Sequence, residues 1–122
     1  MKYALLIYSD PAARDEDAPV PEGASADWAD YTRALKDTGV LLAAEQLFDT
    51  DTATTVRHRG ERVLTDGPFA ETKEHLLGFY LIDVADLDAA LEWAARMPLI
   101  GFGSVEVRAA RTGVPWRAVL DE

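Results

Sequence analysis

A strand that is apolar on both of its faces must be covered twice, and this chain begins with one. In residues 3–8, Tyr3, Leu5 and Ile7 fall on one side of an extended strand and Ala4, Leu6 and Tyr8 on the other. The stretch Phe79-Tyr80-Leu81-Ile82 repeats the feature. Helices packed against one face of a sheet bury that face alone. The other face must meet water, a ligand or a second subunit, and extended bare apolar patches are rare on monomers. A face-to-face homodimer is the expected solution.

The helices that cover the first face are readable from their spacing. Ser25 is the expected N-cap of the first, with Asp27 and Asp30 near the positive end of its dipole. Trp28, Tyr31, Leu35 and Thr38 then recur at helical intervals, and Gly39 stops the run. The second helix starts at Asp86, carries a stripe of Leu87, Ala90, Leu91 and Ala94, and ends after Met97 at Pro98. Apolar runs at 40–48 and 77–84 read as strands. In residues 103–109, Val105 and Val107 alternate with Ser104, Glu106 and Arg108. A hairpin over 52–65 turns at Arg59-Gly60, with Thr54, Val56 and His58 on one face and Thr55, Arg57 and Arg59 on the other. The proline-rich, acidic residues 9–24 read as a surface loop.

This order predicts an α+β, ferredoxin-like βαβ-(β-hairpin)-βαβ fold, an antiparallel sheet with two helices on one face. A chain of 122 residues accommodates one such domain, here 1–109, followed by a C-terminal tail at 110–122. The absence of cysteine excludes disulfides, thiolate catalysis and Cys-ligated metal. A net charge of −10 repels a phosphate backbone and argues against nucleic acid as a partner. No apolar run approaches the ~20 residues of a membrane span, and the N-terminal stretch is too short for a signal sequence. The expectation is therefore a cytoplasmic protein that engages no membrane. His58 and His75, seventeen positions apart, show no metal-ligand spacing, and no cofactor-binding fingerprint is present.

The most distinctive segment is Asp66-Gly67-Pro68-Phe69-Ala70-Glu71-Thr72-Lys73-Glu74, followed by Gly78-Phe79-Tyr80-Leu81-Ile82-Asp83-Val84. It resembles the DGPF-type branch of the YCII-related proteins. Matches at Met1-Lys2-Tyr3, Thr52-Ala53-Thr54-Thr55-Val56-Arg57, Ala89-Ala90-Leu91-Glu92-Trp93-Ala94 and Gly103-Ser104-Val105-Glu106-Val107-Arg108 extend the resemblance over nearly the whole chain. It implies a dimeric α/β-barrel, no established reaction, and a gene-neighbourhood link to extracytoplasmic-function sigma factors. The related YciI-like branch carries a proposed His–Asp pair. Alignment on Gly39 and Pro98 places Trp28 and Met97 at those positions, and neither transfers a proton.

Candidate chemistry lies elsewhere. Asp66 is either a turn residue or a site-facing carboxylate, because the usual acceptor contact two residues on is blocked by Pro68, which has no N–H. Glu45 interrupts the apolar run at 41–48; it is either a site carboxylate, or it lies on the open face at an edge or pairs with an arginine such as Arg57. His75 is a candidate acid–base group or a hydrogen-bonding residue. Phe69, Lys73, Arg57 and Tyr8 are the candidate ligand contacts, Lys73 and Arg57 as an anion-holding pair with Arg59. Three functional readings follow: a small-molecule-binding or accessory dimer linked to sigma-factor signalling, a small enzyme using Asp66 or Glu45 as base, and an interaction module for a transcription factor.

Overall fold

A computed structural model describes residues 1–10, 23–68, 74–99 and 103–122. The elements run β1 (Lys2–Ser9), α1 (Ala24–Asp37), β2 (Leu41–Gln46), a short 3-10 turn (Thr50–Thr52), β3 (Thr54–Arg59), β4 (Glu61–Asp66), β5 (His75–Asp83), α2 (Leu87–Ala95), β6 (Gly103–Ala109) and α3 (Pro115–Leu120). A four-stranded sheet has the order β2-β5-β1-β6, with every neighbouring pair antiparallel. This is the ferredoxin-like α+β arrangement. The two strands that are apolar on both faces, β1 and β5, occupy its centre, each paired on both edges along most of its length.

Tyr3, Leu5 and Ile7 of β1 join Tyr80 and Ile82 of β5 beneath Tyr31 and Leu35 of α1 and Ala90 and Ala94 of α2. Cross-strand pairing sets Tyr3 against Ile82 and Leu5 against Tyr80, so both strands direct the same parity toward the helices. Leu5, Leu35 and Ile82 are fully buried, each stabilising the fold by about 1.5–3 kcal/mol relative to exposure. Trp28 stacks on Tyr80 with ring centroids 6.4 Å apart, and Tyr31 meets both edge-on at 6.2 and 5.4 Å. The Tyr31 hydroxyl donates to the Trp93 carbonyl at 2.8 Å.

Two helix details differ from the sequence expectation. α1 is entered through Gly23 in the left-handed region (φ 85°), with no side-chain cap, so Ser25 lies inside the first turn. Asp27 sits in that turn, whereas Asp30 pairs with Arg33 at 3.1 Å. α2 begins as expected, with Asp86 accepting from the Ala89 N–H at 2.9 Å. Its buried side, however, is Ala90 and Ala94, with Met97 beyond the C-terminus; Leu87 and Leu91 are exposed. The helix is rolled toward Trp93, whose ring meets Tyr31 at 6.2 Å and carries the Arg96 guanidinium at 4.3 Å.

The hairpin β3–β4 is a separate two-stranded sheet, turning at Gly60 (φ 84°) where Arg59 opposes Glu61. Beyond β6, the Ala110 N–H donates to the Lys2 carbonyl at 2.9 Å, and α3 follows with Pro115 at its start. The expected loop at 9–24 is described only at its ends; residues 11–22 lie outside the described residues.

Candidate functional site

The second parity of the central strands forms the face that α1 and α2 leave alone. Ala4 opposes Leu81 and Leu6 opposes Phe79, and all four are half-buried. Extending these pairs to the edges gives two rows across the sheet. One is Glu45–Phe79–Leu6–Glu106, the other Ala43–Leu81–Ala4–Arg108. An apolar centre is thus bordered by carboxylates on both edge strands and by Arg108, which pairs with Glu106 at 2.9 Å. Farther along the same face, Lys2 opposes Asp83, whose carboxyl is held below its usual range by the N-terminal ammonium 2.9 Å away.

Glu45 is therefore an edge residue. The apolar run around it suggested an interior strand, but among the described residues β2 pairs only with β5, and its Glu45 side chain is exposed to water. The apolar neighbours Leu42, Leu47 and Phe48 are also exposed.

Asp66 ends β4 opposite Thr54 and is exposed. The next residue is tied on both sides: the Gly67 N–H donates to the Ala53 carbonyl, and the Gly67 carbonyl accepts from the buried Thr55 hydroxyl, each at 2.6 Å. With Gly67 at φ 100°, Asp66-Gly67-Pro68 is a built turn that closes the hairpin base. Arg57 is half-buried on the Thr55 face of this hairpin, and His58 is exposed on the opposite face. Phe69 and Lys73 lie outside the described residues.

His75 and Tyr8 lie at the same end of the central strands but on opposite parities. His75 opposes Ser9, and Tyr8 opposes Leu76 just past an irregularity in the pairing. Tyr8 is half-buried on the uncovered face, opposite Ser104. His75 is half-buried, with Nδ1 3.3 Å from the Thr50 hydroxyl. Around them lie groups that sequence reasoning passed over: Ser9 and Asp10 are buried, and the Ser104 hydroxyl donates to Glu74 at 3.3 Å. A polar pair directly after a strand reads as the start of a loop, so no sequence signal distinguishes it from solvated residues. Chemically, this end offers one imidazole with a hydroxyl on its Nδ1 side, a setting for hydrogen bonding or proton transfer. Glu45 is four residues along β5 from His75 through its partner Phe79, while Asp66 and Arg57 belong to the separate hairpin.

Trp28 and Met97 both belong to the core, Met97 buried and Trp28 packed against it. Burial holds the Tyr31 hydroxyl well above its usual pKa, with the neighbouring Tyr80 adding to the shift and Arg96 opposing it. Among the described residues, no three His, Asp or Glu side chains gather to hold a metal ion, and no helix is long and apolar enough to cross a membrane.

The family model of the YCII-related domain matches residues 1–115. An uncharacterized protein of Rhizobium meliloti is 44% identical over 116 residues, covering 88% of this chain and 90% of its own length.

Proposed function

The chain belongs to the family of YCII-related domains, and from that premise we propose that it is a small-molecule-binding or accessory protein working as a cytoplasmic homodimer. The observation that carries this reading is the uncovered sheet face, with Leu6 and Phe79 at its centre and Glu45, Glu106 and Arg108 at its borders. A second subunit laid on that face removes its apolar centre from water, and the space between two such sheets supplies an apolar cavity with a few polar groups around it. Tyr8 stands at one end of that space, with Phe69, Lys73 and Arg57 as further ligand contacts, while His75, paired with Ser9, belongs to the helix side of the same end. A sigma-factor pathway is the setting we assign to the accessory role, performed by domain 1–109 with 110–122 as its tail.

Carboxylate acid–base catalysis has weaker support, because Asp66 and Glu45 are both exposed and stand on different sheets. Thermal-shift screening against a metabolite panel tests the binding reading. A rise in Tm with one ligand class, reduced by Tyr8→Ala, supports it; no stabilisation by any class counts against it.

A further inference from the structure

The hairpin β3–β4 carries an exposed surface. Val56 pairs with Leu64 and His58 with Arg62, so these four share one face, and all are exposed. Val56 is 50% and Leu64 60% accessible. Among the described residues the strands pair only with each other, and a lone two-stranded ribbon is marginal in water without a surface to pack on. Charge separates the hairpin from the body as well. Residues 54–66 hold three arginines against Glu61 and Asp66, a net of +1, so the remainder of a chain at −10 carries −11.

The complementary surface is present on the same molecule. Residues 42–51, along the sheet edge and just beyond it, contain no cation. They expose Leu47 and Phe48, the latter at 88%, beside the exposed acids Glu45, Asp49 and Asp51. Both patches are exposed, although only Ala53 separates the 3-10 turn from β3.

We propose that the β3–β4 hairpin is a dimerisation arm, whose Val56–Leu64 face and Arg62 dock on the Leu47–Phe48 and Asp49 surface of a second copy. The contact joins an apolar pair to an apolar pair and a cation to a carboxylate. A two-fold axis makes it twice, since each copy supplies both halves. It rests on the homodimer reading and adds to it an element that reaches beyond the sheet face.

The test is sedimentation equilibrium of wild type, Leu64→Glu and Arg62→Glu, with circular dichroism to verify folding. Both positions are exposed, so the fold is expected to survive, and dimer dissociation is expected to strengthen about tenfold or more for Leu64→Glu. A cysteine-free chain permits a second measurement. Leu64→Cys and Phe48→Cys subunits, mixed and treated with a short bismaleimide, are expected to cross-link to each other. Wild-type dimers with unaltered affinity in both charge variants and no 48–64 cross-link overturn the arm while leaving the sheet-face dimer standing. A wild-type monomer overturns both.

Discussion

Gly78 lies so close to Glu45 that a β-carbon on it would sit 2.6 Å from the Glu45 carbonyl oxygen and 3.3 Å from the Gln46 Cα. The obstruction is backbone, which cannot swing aside as a side chain does. Glycine at this point of β5 lets the edge strand β2 close up, with Gln46 opposite Gly78 and the Leu47 N–H donating to the Leu77 carbonyl at 2.8 Å. Gly78→Ala is therefore expected to push β2 outward and lower stability by about 1–3 kcal/mol. Urea unfolding measures the loss, and hydrogen exchange should show the Leu47 amide losing protection before amides of β1. Wild-type stability in the variant would mean that β2 is free to move away.

The two parities of β1 predict opposite outcomes for neighbouring substitutions. Leu5 is fully buried against the helices, so Leu5→Ala is expected to destabilise the fold by about 2–5 kcal/mol. Leu6 is half-buried on the uncovered face, opposite Phe79. Leu6→Glu should leave the circular dichroism spectrum intact and weaken self-association. Paired unfolding and sedimentation measurements separate the two effects; a Leu6→Glu protein that still dimerises with wild-type affinity would remove the sheet face from the interface.

The contrast between Leu5 and Leu6 also marks how far the sequence can be read. Alternation places Tyr3, Leu5 and Ile7 on one side and Val105 and Val107 inward because side-chain parity is a local property of a strand. Element order then leads to the sheet, and Asp86 declares its own cap. The misplaced residues depend on long-range partners. Whether Glu45 is interior or at an edge is decided by which strands flank β2, and nothing in 41–48 encodes that. The roll of α2 away from Leu87 and Leu91 is decided by Trp93 meeting Tyr31 on another helix. Burial of Ser9 similarly goes with its strand partners His75 and Gly103, distant in sequence.

Thr55 is the least conspicuous residue with a predictable effect. Its buried hydroxyl donates to the Gly67 carbonyl at 2.6 Å and so links β3 to the turn after β4. Thr55→Val keeps the shape but leaves that carbonyl without its donor, and is expected to lower stability by about 1–3 kcal/mol. Gly67→Ala strains a residue at φ 100° and should act in the same direction. Since the two act on one turn, a double-mutant cycle followed by urea unfolding should show a loss smaller than the sum of the single losses. Strict additivity would mean that Thr55 and Gly67 act separately.

Tyr31 gives the fold a dependence on alkaline pH whose sign follows from its burial. Its hydroxyl donates to the Trp93 carbonyl and its pKa is raised, chiefly by desolvation, so the folded state holds the proton more tightly than the unfolded chain. The stabilisation is fully present below the ordinary tyrosine value of about 10 and declines as pH rises through and above it, because there the unfolded state releases a proton that the native state keeps. Tyr31→Phe removes both the titration and the hydrogen bond. The variant should be less stable than wild type at pH 8, by about 1 kcal/mol, and the gap should narrow between pH 9.5 and 11. Urea unfolding across that interval checks it. A gap that stays constant would show that Tyr31 ionises as readily in the native protein as in the unfolded chain, contrary to its place between Trp28, Tyr80 and Trp93.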